Sequence, residues 1–265
     1  MSGIDRQDAS GPPPTRWQPR LELHHRARPR TRGATHAPVW LLDLDNTLHD
    51  AVAHIMPRIN RGMTEFIARE LDLPQDEAAR LRVQWWKRYG ATLLGLAAHH
   101  PHIDLQRFLR ESHAFPDMRQ LVQRRGVLAD VLRRLPGRRI LFTNAPRHYA
   151  HDVVRALGLW PHLDGLVSIE AMRFAGRWQP KPSVPSLARA IAKLRVRPHD
   201  CVLVEDSPEN LAAARELGVR TVLVSGYSWR GRAARPRAGR AGRIDLQVRS
   251  ALDLPRARIH PRSFP

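Results

Sequence analysis

The chain has little cysteine, little lysine and no long apolar stretch. Its 265 residues include one cysteine, Cys201, which excludes an internal disulfide framework and a cysteine-based zinc cluster. No apolar run reaches the roughly 18–20 residues that a membrane-spanning helix requires. The N-terminal residues, MSGIDRQDASGPPP, contain no apolar segment of the kind found in secretory signals. We therefore expect a soluble, cytoplasmic protein without a membrane partner.

The basic charge of the chain comes almost entirely from arginine. Lysine occurs only at positions 87, 181 and 193, so 41 of the 44 basic residues are arginine. Against 25 acidic residues this gives a net charge of +19, a value that invites a nucleic-acid-binding interpretation. Residues 1–38 carry +4 and residues 228–265 carry +8 of that charge. Such uniform use of arginine is typical of coding bias, and dispersed charge is usually solvated, which argues against nucleic acid as the main partner.

Composition and hydrophobic pattern divide the chain into regions. Residues 1–37 are rich in Pro, Gly, Arg and His and are predicted to be a disordered basic arm, and residues 256–265 a basic tail. Residues 38–50 and 126–255 are predicted to form an α/β core. Between them, residues 51–125 show apolar residues three and four positions apart, which predicts three or four helices and no strand.

Short apolar runs that end in polar residues alternate with helical patterns after residue 126. After the first predicted strand, 38–45, the further strands cover 138–145, 166–169, 201–206, 219–224 and 244–248, and the predicted helices cover 126–135, 148–157, 183–194 and 208–217. This alternation predicts a doubly wound, Rossmann-like parallel sheet with right-handed crossovers. The helical block follows the first strand, so it is predicted to be an inserted all-helical cap domain.

Polar residues follow the first two long strands, at the sheet edge where open α/β proteins bind ligands. Asp43 and Asp45 leave the first strand two residues apart and could converge on one metal ion or one phosphate; the alternative is an Asx-rich turn. Thr143 and Asn144 follow the second strand, where a hydroxyl and a backbone N–H beside a helix suit a phosphate oxygen. Their alternative role is helix capping.

Two further features complete this pattern. Lys181, in the segment WQPKPS, directly precedes a predicted helix. In a chain that uses arginine almost everywhere, a lysine there suggests a need for a compact ammonium, although chance also explains it. Glu205 and Asp206 end another strand, and adjacent carboxylates repel each other unless a cation is bound. The alternative for Asp206 is capping of the following helix.

Taken in chain order, these features resemble the haloacid dehalogenase (HAD) superfamily, and within it the phosphatase branch, from about Val39 to Pro255. The resemblance implies that Asp43 is a nucleophile that forms an aspartyl-phosphate and that Asp45 is the general acid and then the general base. Dehalogenases of this superfamily carry no aspartate at the position of Asp45, so dehalogenation is rejected.

The same resemblance implies a phosphate site and a Mg²⁺ cofactor. Thr143, Asn144 and Lys181 would hold the phosphoryl oxygens. Mg²⁺ would be bound by the Asp43 carboxylate, the Asp45 backbone carbonyl and Asp206, with Glu205 as a further ligand.

Two segments of the predicted cap and one segment of the predicted core resemble the pyrimidine 5′-nucleotidase family. These are WWKRYGATLLGL (85–96) and HPHIDLQRFLRESHAF (100–115), together with LFTNAPRHYAHDVVRALGL (141–159). The family typically has tyrosines where this chain has Trp85 and Trp86. The resemblance implies a small-molecule phosphomonoester substrate, a pyrimidine nucleoside 5′-monophosphate, with Trp85 and Tyr89 as candidates for reading the base. The alternative for both residues, which share one helical face, is a place in the cap core.

Two other functions stay open at this point. One is the same phosphatase chemistry on a sugar phosphate or phosphoglycolate. The other belongs to a different class, a nucleic-acid or acidic-partner binder that uses the arginine-rich arm and the 228–243 segment.

Overall fold

A computed structural model describes residues 21–23, 37–122, 126–228 and 244–256. Most of the predicted basic arm, almost all of the arginine-rich 228–243 segment and the basic tail beyond residue 256 lie outside the described residues. In the part of the chain that is described, no helix combines the length and the apolar composition needed to cross a membrane.

Strands and helices alternate along the chain on either side of an all-helical block. The strands are β1 (Glu22–Leu23), β2 (Val39–Leu42), β3 (Arg138–Phe142), β4 (Gly165–Val167), β5 (Arg173–Phe174), β6 (Arg177–Trp178), β7 (Cys201–Glu205), β8 (Arg220–Val224) and β9 (Leu246–Val248). The α-helices are α1 (Ile55–Leu71), α2 (Gln75–Tyr89), α3 (Thr92–His99), α4 (Leu105–Ser112), α5 (Met118–Leu121), α6 (Gly126–Arg134), α7 (Arg147–Ala156), α8 (Val184–Leu194) and α9 (Pro208–Glu216).

Seven of the strands form one sheet in the order β1-β4-β3-β2-β7-β8-β9. All neighbouring pairs are parallel except β1–β4. In the central strands, Leu42 lies opposite Leu141 on one side and Val204 on the other, so β2, β3 and β7 end close to the same level. The predicted doubly wound parallel sheet is therefore confirmed, and the residues after these strands are brought together at one edge.

Both faces of the sheet are covered, which explains why its strands are continuous apolar runs. Successive side chains of β2 point to opposite faces. Trp40 and Leu42 pack in the apolar layer that contains α6 and α7, whereas Val39 and Leu41 pack in the layer that contains α8 and α9. All four β2 side chains are at most 3% exposed, so the strand that carries Asp43 is firmly held.

The block between β2 and β3 is helical, as expected for an inserted cap. Helices α1 to α4 share an apolar cluster of their own, in which Phe66, Trp85, Leu96 and Phe108 are buried. Five helices are present among the described residues of this block, not three or four. The additional one, α5, is a single four-residue turn, which is too short to produce a helical periodicity in the sequence.

Both ends of the helical block pack on the α/β core. Ile55 and Ile59 of α1 and Met118 of α5 belong to the same apolar cluster as the β2 side chains. The predicted boundaries of the cap, 51 and 125, stay a prediction.

The sheet has one more strand than the sequence predicts. Glu22 and Leu23 fall in the predicted disordered arm, and for these two residues that prediction is wrong, because they form β1 beside β4. Two features explain the contact. The Glu22 carboxylate lies 2.9 Å from His151 Nε2, and a Cβ added to Gly165 would lie 2.5 Å from the Glu22 carbonyl oxygen, so only glycine permits this approach.

A short hairpin, β5–β6, precedes the loop that contains Lys181. Two-residue strands give no alternating pattern, so the sequence does not predict it. Trp178 of β6 is 9% exposed and joins the apolar cluster of the helical block. The hairpin therefore contacts the inserted helices immediately before Lys181.

Candidate active site

The site lies at the carboxyl ends of β2, β3 and β7. Asp43 follows β2 directly, and its backbone N–H donates to the Val204 carbonyl of β7 at 3.0 Å. Thr143 follows β3, and Glu205 is the last residue of β7. Because β2 lies between the other two strands, three residues that are far apart in sequence become neighbours.

The Lys181 ammonium lies between the ends of these three strands and contacts oxygen atoms from each of them. Its Nζ lies 2.6 Å from Asp43 Oδ1 and 2.6 Å from Glu205 Oε2, and it donates to the Phe142 carbonyl at 3.0 Å. The three available protons of the ammonium are thus all directed at oxygen atoms. Lys181 is 6% exposed, so this is a buried, fully bonded cation.

The carboxylates outnumber this cation. Burial, together with the charge of Glu205, raises the pKa of Asp43 to about 7 even though Lys181 opposes the change. Burial likewise raises the pKa of Glu205 to about 7, and burial and Asp43 raise the pKa of Asp206. Burial alone would lower the pKa of Lys181, but Asp43 and Glu205 outweigh it and raise that pKa. The pocket thus favours additional positive charge.

Oxygen atoms of Asp43, Glu205 and Asp206 all lie within 4.8 Å of one another. A hard divalent cation such as Mg²⁺ prefers carboxylate oxygens, so the donor set and the excess negative charge both fit it. Among the predicted ligands, Glu205 already accepts from Lys181 through Oε2 and from the backbone N–H groups of Asp206 and Ser207 through Oε1. Among the described contacts, the Asp206 carboxylate accepts from the Ser228 hydroxyl and meets fewer donors than Glu205 does, so it is the more available ligand.

The Asp45 carboxylate is not part of this group and has partners of its own. The Tyr149 hydroxyl donates to Asp45 Oδ1 at 2.6 Å, and His49 Nε2 lies 2.9 Å from the same oxygen. The side chain of Asp45 is therefore separate from the three clustered carboxylates, and only its backbone carbonyl corresponds to the predicted metal contact. Neither Tyr149 nor His49 was among the residues predicted from the sequence.

Thr143 and Asn144, the two residues after β3, differ in which polar groups remain available for a ligand. Thr143 is 1% exposed, and its hydroxyl accepts from the Ala145 N–H at 3.1 Å. The Asn144 side chain bonds the Lys181 backbone in both directions: its Oδ1 accepts from the Lys181 N–H at 2.8 Å and its Nδ2 donates to the Lys181 carbonyl at 3.1 Å. Asn144 thus holds the lysine loop, which leaves its backbone N–H for the predicted phosphate contact.

Trp85 and Tyr89 are occupied within the helical block. Trp85 is 3% exposed, and its ring lies parallel to that of His99 at 6.2 Å. The structure thus places Trp85 in the apolar cluster of the helical block, and its base-reading role stays a prediction. The Tyr89 hydroxyl lies 2.7 Å from His99 Nε2, and the Arg88 guanidinium lies 5.4 Å from the ring centre. A base-reading role for Tyr89 stays a prediction.

Comparison with known proteins agrees with this architecture. The sequence model of the haloacid dehalogenase-like hydrolases matches residues 39–241. Phosphate metabolism protein 8 of Saccharomyces cerevisiae is 24% identical over 135 residues, which are 48% of this chain and 42% of that protein. The match thus spans less than half the length of this curated relative.

Solved structures share the fold at low sequence identity. The HAD phosphatase from Thermococcus onnurineus is 18% identical, with a TM-score of 0.53 over 83% of this chain and 96% of that one. CbbY from Rhodobacter sphaeroides, solved with phosphate, is 19% identical, with a TM-score of 0.56 over 82% and 96%. L-2-haloacid dehalogenase from Xanthobacter autotrophicus is 18% identical, with a TM-score of 0.51 over 83% and 97%.

Proposed function

The chain belongs to the haloacid dehalogenase-like hydrolases, and we propose that it is a Mg²⁺-dependent phosphatase that hydrolyses phosphomonoesters through an aspartyl-phosphate on Asp43. The observation that carries this proposal is the division between two aspartates. Asp43 is paired with the buried ammonium of Lys181, while Asp45 is held separately by Tyr149 and His49.

Two aspartates with separate roles suit the hydrolysis of a phosphate ester and not the dehalogenation of an alkyl halide. A halide leaves as a stable anion, so a dehalogenase needs no proton donor beside its nucleophile. An alkoxide is a strong base and leaves far more readily when a carboxyl group protonates it. The carboxyl group of Asp45, two residues from the nucleophile, supplies that proton donor and supports the phosphatase assignment.

In the proposed reaction, one Asp43 oxygen attacks phosphorus while the ester P–O bond breaks. The electron pair of that bond leaves on the alkoxide oxygen, which takes the proton from Asp45. Asp45, now a carboxylate, accepts a proton from water, and the water oxygen bonds to phosphorus. The bond from phosphorus to Asp43 then breaks and its electron pair returns to the Asp43 carboxylate. Alcohol and inorganic phosphate are the products.

Lys181 and the residues after β3 bind charge in this scheme. The ammonium favours the ionised form of Asp43, and it would contact a phosphoryl oxygen by exchanging one of its three present hydrogen bonds. Thr143 and the Asn144 backbone N–H would bind the remaining oxygens. Asp43 and Asp206, with the Asp45 carbonyl and Glu205, would hold Mg²⁺, which neutralises the charge of the transferring group when bound.

The first prediction concerns the metal. EDTA should abolish phosphate release and Mg²⁺ should restore it. In Asp206→Asn, the Mg²⁺ concentration for half-maximal activity should rise by about 10-fold or more, because an accessible anionic ligand is lost. Without substrate, Mg²⁺ should raise the Tm of the wild type and raise that of Asp206→Asn less.

Asp152→Asn is the matched control for this experiment, because Asp152 is an exposed aspartate on α7. It should bind Mg²⁺ like the wild type. Phosphate release that proceeds at the full rate in EDTA, or an unchanged Mg²⁺ requirement in Asp206→Asn, would contradict the proposed metal site.

We further propose a pyrimidine nucleoside 5′-monophosphate as the substrate. The support is the resemblance of the 85–96 and 100–115 segments to pyrimidine 5′-nucleotidases. Trp85 is buried in the apolar cluster of the helical block, which favours other side chains for reading the base.

The second prediction is therefore a substrate preference. In the presence of Mg²⁺, kcat/KM for UMP, CMP and dTMP should exceed that for AMP, GMP, phosphoglycolate and hexose phosphates by about 10-fold or more, as one well-placed hydrogen bond or apolar contact allows. A higher kcat/KM for a sugar phosphate or phosphoglycolate would replace the nucleotide proposal and leave the phosphatase proposal intact. If no member of the panel is hydrolysed, the phosphatase proposal itself fails.

A further inference from the structure

We propose that Tyr149 and His49 are positioning residues that fix the proton-transferring carboxyl group of Asp45, an inference that rests on the proposed phosphatase function. Both residues contact the same carboxylate oxygen. The Tyr149 hydroxyl lies 2.6 Å from Asp45 Oδ1 and His49 Nε2 lies 2.9 Å from it.

The two carboxylate oxygens of Asp45 differ in their hydrogen bonds, and therefore in the role that each can take. Among the described contacts, Oδ2 accepts no hydrogen bond, whereas Oδ1 is held from two sides. Two partners on one oxygen restrict rotation of the carboxyl group about its bond to Cβ. Oδ2 is thus the oxygen that remains available to carry the proton to the leaving group and to receive one from water.

Tyr149 is built into the core with its hydroxyl aimed at this target. It is completely buried, and its ring meets those of His113 and Phe115 edge to face, with centres 5.6 Å and 5.8 Å apart. It lies in the first turn of α7, the helix that follows the Thr143 loop.

His49 reaches the same oxygen from the other side of the loop. It is 6% exposed, and its backbone bridges to that of Asp45, four residues earlier. The side chain is therefore fixed by the same tight loop that presents Asp45. The two partners differ in origin: one is local in sequence and the other comes from a helix about a hundred residues later.

Two esters with different leaving groups distinguish a residue that positions the Asp45 carboxyl group from one that only stabilises the fold. An alkoxide needs a proton from Asp45 as the ester bond breaks, whereas 4-nitrophenolate is a weak base and leaves without one. The value of kcat/KM reports the steps up to alcohol release, before water attacks. Tyr149→Phe keeps the ring and removes only the hydroxyl, so the kcat/KM of both esters can be compared in the same folded protein.

For Tyr149→Phe we expect kcat/KM to fall by about 10- to 100-fold with the alkyl phosphate that the wild type hydrolyses fastest, the loss typical of a misplaced catalytic group. With 4-nitrophenyl phosphate the change should stay within about 3-fold, because that reaction does not use the proton. Thr221→Val is the matched control. It also removes a buried hydroxyl that donates to a carboxylate, Asp245 Oδ2 at 2.8 Å. Because Thr221 lies near the amino end of β8, away from the carboxyl ends that carry the site, its substitution should not distinguish the two esters.

A second pair of variants covers the case in which Tyr149→Phe does not fold. His49→Gln keeps a side-chain donor and should retain more alkyl phosphatase activity than His49→Leu. Equal losses with both esters, or no loss in Tyr149→Phe, would overturn the positioning role while leaving the phosphatase proposal standing. A wild type that hydrolyses neither ester would instead refute the phosphatase proposal.

Discussion

Asp43→Asn is expected to release no phosphate while remaining folded. The amide has nearly the same shape as the carboxylate but cannot attack phosphorus, so the covalent route is closed. We expect activity to fall by at least about 10³-fold, in line with the loss of a nucleophile in other enzymes. Phosphate release with the best substrate of the panel, at saturating Mg²⁺, measures this effect.

The same substitution should not lower the Tm at pH 8 in the absence of metal. The pKa of Asp43 is raised from 3.8 to about 7 in the fold, so the folded state binds this proton more tightly than the unfolded state does. Stability from this group therefore decreases as the pH rises from about 4 to 7, and at pH 8 the ionised carboxylate is destabilising. Asparagine carries no charge and removes that cost.

Loss of activity with retained stability distinguishes a reacting group from a structural one. The exposed Asp152, changed to Asn, is again the control and should keep both activity and Tm. Residual turnover of Asp43→Asn above about one percent of the wild-type rate would exclude Asp43 as the nucleophile, since loss of such a group costs far more than 10²-fold.

Lys181→Met is expected to lose stability and activity together. The substitution leaves the Asp43 and Glu205 carboxylates buried side by side, where each lies 2.6 Å from the lysine ammonium in the wild type. Removing one partner of a buried ionic group costs about 3–5 kcal/mol of unfolding free energy. Chemical denaturation at pH 8 without Mg²⁺ measures the loss, and phosphate release should fall to background.

Two companion variants show the cause. Lys181→Met/Glu205→Gln should recover part of the lost stability, because one uncompensated charge is removed, but should recover no activity. Lys181→Arg should also be poorly active, since the planar guanidinium cannot reproduce three bonds from one compact ammonium. Wild-type stability in Lys181→Met would show that the ammonium does not compensate these carboxylates.

The fold could be predicted largely because its sheet is buried on both faces. The β2 and β7 sequences, VWLL and CVLVE, are continuous apolar runs that can be recognised without any tertiary information. Polar residues directly after such strands mark the ligand-binding edge. Asp43, Thr143 and Glu205 were predicted in this way and Lys181 from the scarcity of lysine, and the structure places the Lys181 ammonium against Asp43 and Glu205.

The elements that the sequence did not reveal depend on tertiary contacts. Glu22–Leu23 becomes a strand because Gly165 allows close backbone approach and His151 meets the Glu22 carboxylate. Neither contact has a local signal in the arm. The same holds for α5, a single turn whose Met118 packs against the core.

The partners of Asp45 were missed for a similar reason. His49 stands four residues after Asp45, a spacing that could have been noticed in DLDNTLH. Tyr149 is more than one hundred residues away, and only the placement of α7 beside β2 brings its hydroxyl to Oδ1. Trp85 shows the opposite case: the family resemblance suggested base recognition, whereas the structure buries its ring on the apolar face of α2.

The central claim is that Asp43 becomes phosphorylated during turnover, and chemical trapping tests it most directly. The wild type is quenched in acid during steady-state hydrolysis with Mg²⁺, and the acyl phosphate is reduced with borohydride, which converts a phosphorylated aspartate to homoserine. Mass spectrometry of the peptide that contains residues 39–58 should find homoserine at position 43, only when substrate and Mg²⁺ are both present. Homoserine at another position, or an unmodified Asp43 during full turnover, would contradict the account.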